Sequence, residues 1–216
     1  MRLVLVGPPG SGKGTQARLL VERLGLRYVG TGDILRDSIR RGSLPGRRAD
    51  PYIRSGNLVP DDLVNELVNE LFHGPDRPEK FVLDGYPRTL AQATWFDRML
   101  ASTGSCLDAV VQFEVSDEEV VRRISGRWVC LKCKAVYHTS DRPAKAMGLC
   151  DQDSDPLAQR DDDREEVIRA RLRVFHDNTD GLVAHYRAAG LLKVVPSVGT
   201  IEAIYETILN HLTVRA

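Results

Sequence analysis

The residues best suited to chemistry lie near the start of the chain, where residues 7–15 read GPPGSGKGT. Glycines let successive backbone N–H groups turn toward one anion, and Lys13 adds a positive charge beside them. A short apolar run precedes this segment and a helical pattern follows it, which is the context of a phosphate-binding loop. Gly14 departs from the general pattern, because the expected hydroxyl comes one residue later, at Thr15. We therefore predict a nucleotide phosphate site.

A second polar segment, DGYPR at residues 84–88, directly follows a short apolar run. Open α/β sheets bind ligands at the carboxyl ends of their strands, so Asp84 and Arg88 are expected beside the phosphate loop. A carboxylate there can hold Mg²⁺, directly or through water, and the guanidinium fork of arginine matches phosphate oxygens. The alternative for Asp84 is a residue that ends the strand and caps the next turn.

Three of the four cysteines are clustered, and the fourth, Cys106, stands alone without an assigned role. The cluster has the spacing of a structural zinc site, with Asp153 where a fourth cysteine would stand. Thiolates and carboxylates both bind zinc, and a closed tetrahedral shell stabilises a fold without catalysing a reaction. The predicted Zn²⁺ ligands are Cys130, Cys133, Cys150 and Asp153. The alternatives are free thiols in a segment held by hydrogen bonds, His138 as a substitute ligand, or a redox-active Cys-x-x-Cys pair.

The composition is that of an ordinary globular chain of 216 residues, 42% hydrophobic and 28% charged. Net charge is zero, so we expect neither nucleic acid nor a membrane as a partner. The first apolar run reaches Pro8 after about five residues, too short for a signal peptide. Nothing approaches the roughly 20 apolar residues of a membrane span. We therefore expect a cytoplasmic protein, in which clustered cysteines favour metal over disulfides.

The predicted fold class is α/β, because five short apolar runs alternate with helical patterns, which is typical of a parallel sheet covered on both faces. The predicted strands are residues 2–6, 27–29, 81–84, 109–113 and 192–195, and the main helices are residues 13–24, 61–72, 90–101, 117–125, 164–188 and 201–212. Two segments interrupt the alternation. Residues 30–59 carry short helical patterns at 33–41 and 47–55. Residues 126–163 hold the clustered cysteines and have too few large aliphatic side chains for a core of their own, a role that a metal could fill.

Together, these motifs resemble those of the adenylate kinase family of nucleoside monophosphate kinases, in its bacterial-type long-lid form with a zinc-binding lid. The phosphate loop, TGD at residues 31–33, DGYPR at 84–88 and RDDD at 160–163 occur in that family's order along the whole chain. The resemblance implies a P-loop NTPase-type parallel five-stranded sheet flanked by helices. It also implies a core domain (residues 1–29, 60–125 and 164–216), a helical AMP-binding insertion (residues 30–59) and a zinc-containing lid (residues 126–163).

The resemblance further implies a monomeric enzyme that converts ATP and AMP reversibly to two ADP with Mg²⁺. The catalytic side chains would be Lys13, Arg88, Arg127, Arg160 and Arg171. ATP would be held by Gly10, Ser11, Gly12, Lys13, Gly14, Thr15, Arg123, Arg127, Val136, Tyr137 and Ile201. AMP would be held by Thr31, Arg36, Asn57, Leu58, Val59, Gly85, Tyr86, Pro87, Arg88, Gln92, Arg160 and Arg171. Asp84 would order the waters of Mg²⁺, and Asp162 and Asp163 would orient the lid arginines or bond ribose.

Two other functions stay open at this stage. A UMP/CMP-type kinase would usually have a shorter lid than residues 126–163. A nucleotide-switched binding module would not need a second phosphate site, which is the best explanation of Arg36 and Arg88. One departure from the family pattern concerns the base of the donor nucleotide. Asp141 stands where long-lid relatives often have an aromatic residue, so His138 or Arg123 alone would have to stack on that base.

Overall fold

A five-stranded parallel sheet forms the centre of the molecule. The structure is a computed structural model that describes residues 1–213, so the last three residues assigned to the core domain lie outside the described residues. The strands are β1 (Arg2–Val6), β2 (Arg27–Gly30), β3 (Phe81–Asp84), β4 (Ala109–Glu114) and β8 (Leu192–Pro196). They lie in the order β2-β3-β1-β4-β8, and every neighbouring pair is parallel. The predicted five-stranded parallel sheet is confirmed.

Helices cover both faces of this sheet, so its central strands are buried almost continuously. The flanking helices are α1 (Lys13–Leu24), α4 (Asp61–His73), α5 (Leu90–Ser102), α6 (Asp117–Ser125), α7 (Glu165–Ala188) and α8 (Ile201–Thr213). One face is closed by a cluster of aromatic rings in which Phe72 lies edge-on to Phe81 and Phe96, with ring centroids 5.0 and 5.3 Å apart. The other face packs Leu5, Leu20 and Phe113 against α8. This packing fixes where the loops at the strand ends lie.

Two of the flanking helices, α5 and α6, begin with a side-chain cap. The Thr89 side-chain oxygen accepts a hydrogen bond from the backbone N–H of Gln92 at 3.1 Å, and Ser116 does the same for Glu119 at 3.4 Å. Within residues 1–213, no helix is both long enough and apolar enough to pass through a bilayer.

Residues 30–59 form a pair of helices, α2 (Thr31–Arg40) and α3 (Leu44–Ser55). Both begin two or three residues earlier than the sequence patterns predicted, because Thr31 continues directly from β2 and the Ser43 side chain caps α3 by accepting from Gly46 N at 3.2 Å. The two helices approach closely at Gly46, where an added Cβ atom would lie 2.2 Å from the Ser38 carbonyl oxygen. Glycine is therefore required there for steric reasons.

Residues 126–163 contain a second, smaller sheet to which the sequence analysis assigned no strands. The strand β5 (Arg127–Cys130) pairs antiparallel with β6 (Val136–His138) on one side and with β7 (Leu157–Ala158) on the other. These strands have only four, three and two residues, too few for the alternation that predicts a strand. Their small core consists of Cys130, Ala135, Tyr137 and Cys150, flanked by Trp128, Ala144 and Leu157.

The contact at Gly46 generates a prediction about stability. We expect Gly46→Ala to destabilise the protein by about 1–3 kcal/mol, because the new methyl group meets backbone atoms that cannot move aside. The matched control is Gly181→Ala in α7, where the added Cβ atom would lie 3.6 Å from Leu90 in ordinary contact. We expect this second change to stabilise the helix by up to about 1 kcal/mol. Urea unfolding of both variants measures the difference, and equal stabilities would contradict the packing described for α2 and α3.

Candidate functional site

A cavity of about 690 Å³ lies at the carboxyl ends of the parallel strands, a volume suited to small-molecule ligands. Its walls come from the phosphate loop, the segment after β3, the start of α8 and both insertions. A smaller cavity of about 50 Å³ adjoins it beside α2 and α3. The two share Arg36, Leu58, Arg88 and Arg171 as lining residues, so they form one continuous cleft with two ends.

The loop between β1 and α1 is folded around the Lys13 ammonium group. Lys13 Nζ donates hydrogen bonds to the carbonyl oxygens of Gly7 and Pro8, at 2.8 and 2.7 Å, and lies 3.2 Å from Ser11 Oγ. Gly10 and Gly12 have positive φ angles of 73° and 87°, which glycine adopts without strain. No side chain caps the start of α1, so its first N–H groups remain available to an anion.

Burial at the floor of the cleft lowers the pKa of Lys13 to about 8, with Asp84 acting in the opposite direction. Asp84 ends β3, and one of its oxygens would lie 3.4 Å from a Cβ atom placed on Gly14. The Tyr28 hydroxyl lies 3.3 Å from Asp84 Oδ2. The Asp84 carboxylate therefore stands beside the start of α1, next to Gly14.

Five of the arginines that line the cleft come from different elements, and four of them are paired with acidic side chains. They are Arg36 on α2, Arg88 after β3, Arg127 on β5, Arg160 before α7 and Arg171 on α7. Arg171 Nη1 donates to Asp162 at 2.8 Å, and Arg36 Nη1 lies 3.5 Å from the same carboxylate. Arg127 forms a two-pronged pair with Asp163. Asp33 lies 3.0 Å from Arg36 and 3.6 Å from Arg160.

Burial and mutual repulsion oppose the positive charge of this cluster. Burial lowers the pKa of both Arg160 and Arg171 to about 10, still well above neutral pH. Burial by itself raises the pKa of the Asp162 carboxyl, but Arg171 and Arg36 outweigh it and lower that pKa below its usual range. The cleft thus keeps its arginines charged by placing ionised carboxylates among them.

At the end of the cleft beside α2, hydrogen bonds converge on Gly85. Its carbonyl oxygen accepts from Thr31 Oγ1 at 2.9 Å and from Arg88 Nε at 2.8 Å. Gln92 is only 2% exposed, and its side chain accepts from the Arg88 N–H at 2.7 Å and donates to Asp61 at 2.7 Å. These bonds fix the segment after β3 in place.

At the opposite end, the candidate residues lie around the start of α8. Ile201 and Val136 line the cleft, and the Ile201 carbonyl oxygen accepts a hydrogen bond from Gln16 Nε2 at 2.8 Å. His138 packs so closely on Gly126 that an added Cβ atom there would lie 2.3 Å from its ring. His138 Nδ1 also accepts from the backbone N–H groups of Ser140 and Asp141, at 3.2 and 3.1 Å. The ring is thus tied into its own turn, and both His138 and Arg123 line the cleft.

The three clustered cysteines and Asp153 come together in the lid segment. One ligand atom from each of the four residues can be chosen so that all lie within 4.8 Å of one another. Cys133 Sγ lies 3.5 Å from Cys150 Sγ, and Cys130 Sγ lies 3.4 Å from Asp153 Oδ1. A tetrahedral zinc shell separates its ligand atoms by about 3.5 Å, so this donor set fits Zn²⁺. Backbone N–H groups of Cys133 and Gln152 point at two of the sulfurs, each at 3.4 Å.

Comparison with known proteins agrees with this geometry. The family model described as adenylate kinase matches residues 5–191. The chain belongs to the adenylate kinase family. A relative named adenylate kinase from Anaeromyxobacter sp. (strain Fw109-5) is 47% identical over 204 residues, which cover 94% of this chain and 95% of the relative. Relatives of the same name from Streptomyces avermitilis and Archaeoglobus fulgidus are 43% and 44% identical, and each alignment covers at least 96% of both chains.

The cleft brings together most of the side chains that the adenylate kinase resemblance assigned to nucleotides. Tyr86 is an exception, because its ring is 0% exposed, packs edge-on to Phe96 and donates its hydroxyl hydrogen to Asn65 at 2.6 Å. Tyr137 is mostly buried in the lid core, with its hydroxyl 3.4 Å from Cys150 Sγ, although part of it borders the cleft. Asn57, Leu58 and Val59 line the smaller cavity.

Sequence reasoning missed three residues that organise the cleft, namely Gln16, Glu119 and Ser197. Ser197 follows β8 at the carboxyl edge of the sheet, so its position relative to the strands could have identified it. Glu119 stands four residues before Arg123 on α6, a spacing that predicts an ion pair on a helix. Gln16 carries no such signal, because its partner Ile201 is distant in the sequence.

The Asp162 pair predicts a pH-dependent loss of stability. We expect Asp162→Asn to cost about 2–3 kcal/mol at pH 7, because it leaves two arginines in the cleft without their shared counter-ion. The folded-state pKa of Asp162 lies below the unfolded value of about 3.9, so this stabilisation is complete above that value. It is lost as the pH falls through the folded-state pKa.

Urea unfolding at pH 7 and pH 3 measures this effect, and we expect a smaller difference between wild type and variant at pH 3. Asp161→Asn is the matched control, because the neighbouring carboxylate is exposed. A difference of the same size at both pH values would contradict the assignment of the stabilisation to the ionised carboxylate.

Proposed function

We propose that this chain catalyses reversible phosphoryl transfer between ATP and AMP, giving two ADP. The observation that carries the proposal is that one cleft holds two separate sets of phosphate-binding groups, the loop around Lys13 and the arginine cluster. A single-nucleotide protein would need only the first set. Membership of the adenylate kinase family supports the same reaction.

On the donor side, Lys13 and the N–H groups of residues 10–15 would bind the outer phosphates of ATP. The Lys13 ammonium would exchange the carbonyl oxygens of Gly7 and Pro8 for phosphate oxygens. Asp84 and the Thr15 hydroxyl are the groups that would hold Mg²⁺, directly or through water. When bound, that ion would neutralise phosphate charge that the protein alone leaves uncompensated.

On the acceptor side, Arg36 and Arg88 would bind the phosphate of AMP. Thr31, Gly85 and Gln92 would recognise its base, and residues 57–59 would line the pocket around it. The Arg88 guanidinium is already fixed by its bond to the Gly85 carbonyl oxygen, so little side-chain entropy is lost when phosphate arrives.

The transfer itself would be catalysed by Arg127, Arg160 and Arg171 together with Lys13 and Arg88. Phosphoryl transfer needs its two oxygens in line and its spreading negative charge stabilised, and it needs little covalent help from the protein. In the cleft Arg127, Arg160 and Arg171 are paired with carboxylates. With substrates present they would bond the transferring group, while Asp162 and Asp163 would keep their orientation.

We also propose that residues 30–59 and 126–163 act as two domains that close on the core to exclude water from the reaction. Three ion pairs join these segments directly: Lys134 with Asp37 at 3.1 Å, Arg36 with Asp162 at 3.5 Å and Arg160 with Asp33 at 3.6 Å. Their presence supports closure in which each segment stabilises the other. We expect the opening of this arrangement to limit turnover.

The proposal extends to the state of the protein in the cell. We infer a monomer, because both phosphate-binding sets come from a single chain. We infer a cytoplasmic enzyme, because three thiols gathered at a metal site require a reducing compartment.

A coupled assay of ADP formation from AMP and Mg-ATP tests the function. We expect the wild-type protein to be active in this assay. We expect Arg88→Ala to raise the KM for AMP and to lower kcat by at least about 100-fold, because one charge-assisted contact to the transferring phosphates is lost. The matched control is Arg98→Ala, an exposed arginine of α5 that bonds only Thr94 of its own helix. Transfer to UMP but not to AMP would favour the UMP/CMP-type alternative, and hydrolysis without transfer would favour the switch module.

The metal proposal predicts one structural Zn²⁺ per chain, bound by Cys130, Cys133, Cys150 and Asp153. We expect Asp153→Ala to weaken zinc retention and lower the melting temperature by several degrees, because a fourth ligand is lost. Asp153→Cys should restore both, and Gln152→Ala, an exposed side chain outside the ligand set, should change neither. Elemental analysis and thermal melting measure these effects. If chelation abolished activity while the lid stayed folded, a purely structural role would be wrong.

A further inference from the structure

All three nitrogen atoms of the Arg123 guanidinium make hydrogen bonds within the chain. Its Nε donates to Glu119 Oε1 at 2.7 Å, its Nη2 to the Ser197 carbonyl oxygen at 2.8 Å, and its Nη1 lies 3.3 Å from Ser197 Oγ. Ser197 is 1% exposed and donates its hydroxyl hydrogen to the Ser11 carbonyl oxygen of the phosphate loop at 2.5 Å. These bonds connect Glu119 to the phosphate loop through Arg123 and Ser197.

Glu119 is itself fixed by a second arginine. Arg122 donates to both oxygens of Glu119, from Nε at 2.7 Å and from Nη2 at 2.8 Å. The same guanidinium makes a two-pronged pair with Asp141, at 3.1 and 2.8 Å. Asp141 lies in the lid segment and Arg122 lies on α6, so this pair spans the junction at Gly126. The rotamer of Glu119 is therefore restrained by Arg123 and also by Arg122, which is itself bonded to Asp141.

We propose that Glu119 is a positioning residue for the donor nucleotide. It holds the Arg123 guanidinium against the cleft wall at the end beside Ile201, with the flat face and remaining N–H groups of Arg123 free to meet the nucleoside and phosphates of ATP. This inference rests on the proposed function in one respect, the assignment of that end of the cleft to ATP.

The physical reason is the cost of ordering a long side chain. An unrestrained arginine loses considerable rotamer freedom when it binds a ligand, which weakens the binding. Glu119 removes much of that entropy cost in advance. Its carboxylate binds the Nε–H group of Arg123 and so restricts the guanidinium plane to one orientation. Ser197 supplies the second restraint, so loss of Glu119 alone should weaken ATP binding without removing it.

The test measures equilibrium affinity for ATP and for AMP by calorimetric titration, so it does not depend on turnover. We expect Glu119→Ala to weaken ATP binding about fivefold, as for a partly exposed charge-assisted contact, and to leave AMP binding within about twofold. Glu119→Gln keeps one acceptor oxygen for Arg123 and should lose less. The matched control is Glu118→Ala, one residue earlier on the exposed face of α6, which should bind both nucleotides as the wild type does.

A double-variant cycle then separates positioning from a general effect on the fold. Arg123→Ala should weaken ATP binding, and adding Glu119→Ala to it should cause little further loss, because Glu119 acts only through Arg123. Additive losses, equal weakening of ATP and AMP, or unchanged ATP affinity in Glu119→Ala would each overturn the inference. None of these outcomes bears on whether the wild type converts ATP and AMP to ADP, so the proposed function stands or fails separately.

Discussion

The concentration of positive charge in the cleft is the constraint on which the rest of the structure depends. Lys13 and nine arginines line one cavity, and they come from elements far apart in the chain. Folding removes water from these cationic groups and brings their like charges close together. Both effects oppose folding. Carboxylates at Asp33, Asp162 and Asp163 offset the repulsion without filling the cavity. Most of these arginines are consequently paired with carboxylates of the same chain, so a phosphate group would compete with those carboxylates for them.

The buried sheet is the part of the scaffold that makes this arrangement possible. Because its strands are covered on both faces, the positions of their carboxyl ends are fixed to within the tolerance of core packing. The loop before α1, the Asp84 segment and Ser197 all directly follow such strand ends, so their backbone positions are fixed with similar precision. The lid has only a small core of its own, and a metal bound to its four clustered ligands would supply the rigidity that its few apolar side chains cannot.

The sequence predicted the sheet and its flanking helices because continuous apolar strands and amphipathic helices leave strong periodic patterns. It did not predict β5, β6 or β7, because strands of two to four residues are too short to show an alternating pattern of apolar and polar side chains. Within the site, residue type and position after a strand predicted Asp84 and Arg88 beside Lys13, and the family resemblance supplied the other arginines. Tyr86 lies within the same polar segment, but its ring enters the aromatic core, a direction that spacing does not encode. The fixation of His138 depends on backbone groups of its own turn, which no pattern of side chains reveals.

The ion pair between Lys134 and Asp37 has a consequence for communication between the two insertions. Lys134 directly follows the candidate metal ligand Cys133 and has a φ angle of 63°, a left-handed conformation that costs a non-glycine residue free energy. Its N–H donates to the Cys130 carbonyl oxygen at 3.0 Å, and its ammonium group lies 3.1 Å from the Asp37 carboxylate on α2. The turn that carries two of the clustered sulfurs therefore also positions a contact to residues 30–59, so a change in the backbone of this turn would alter both at once.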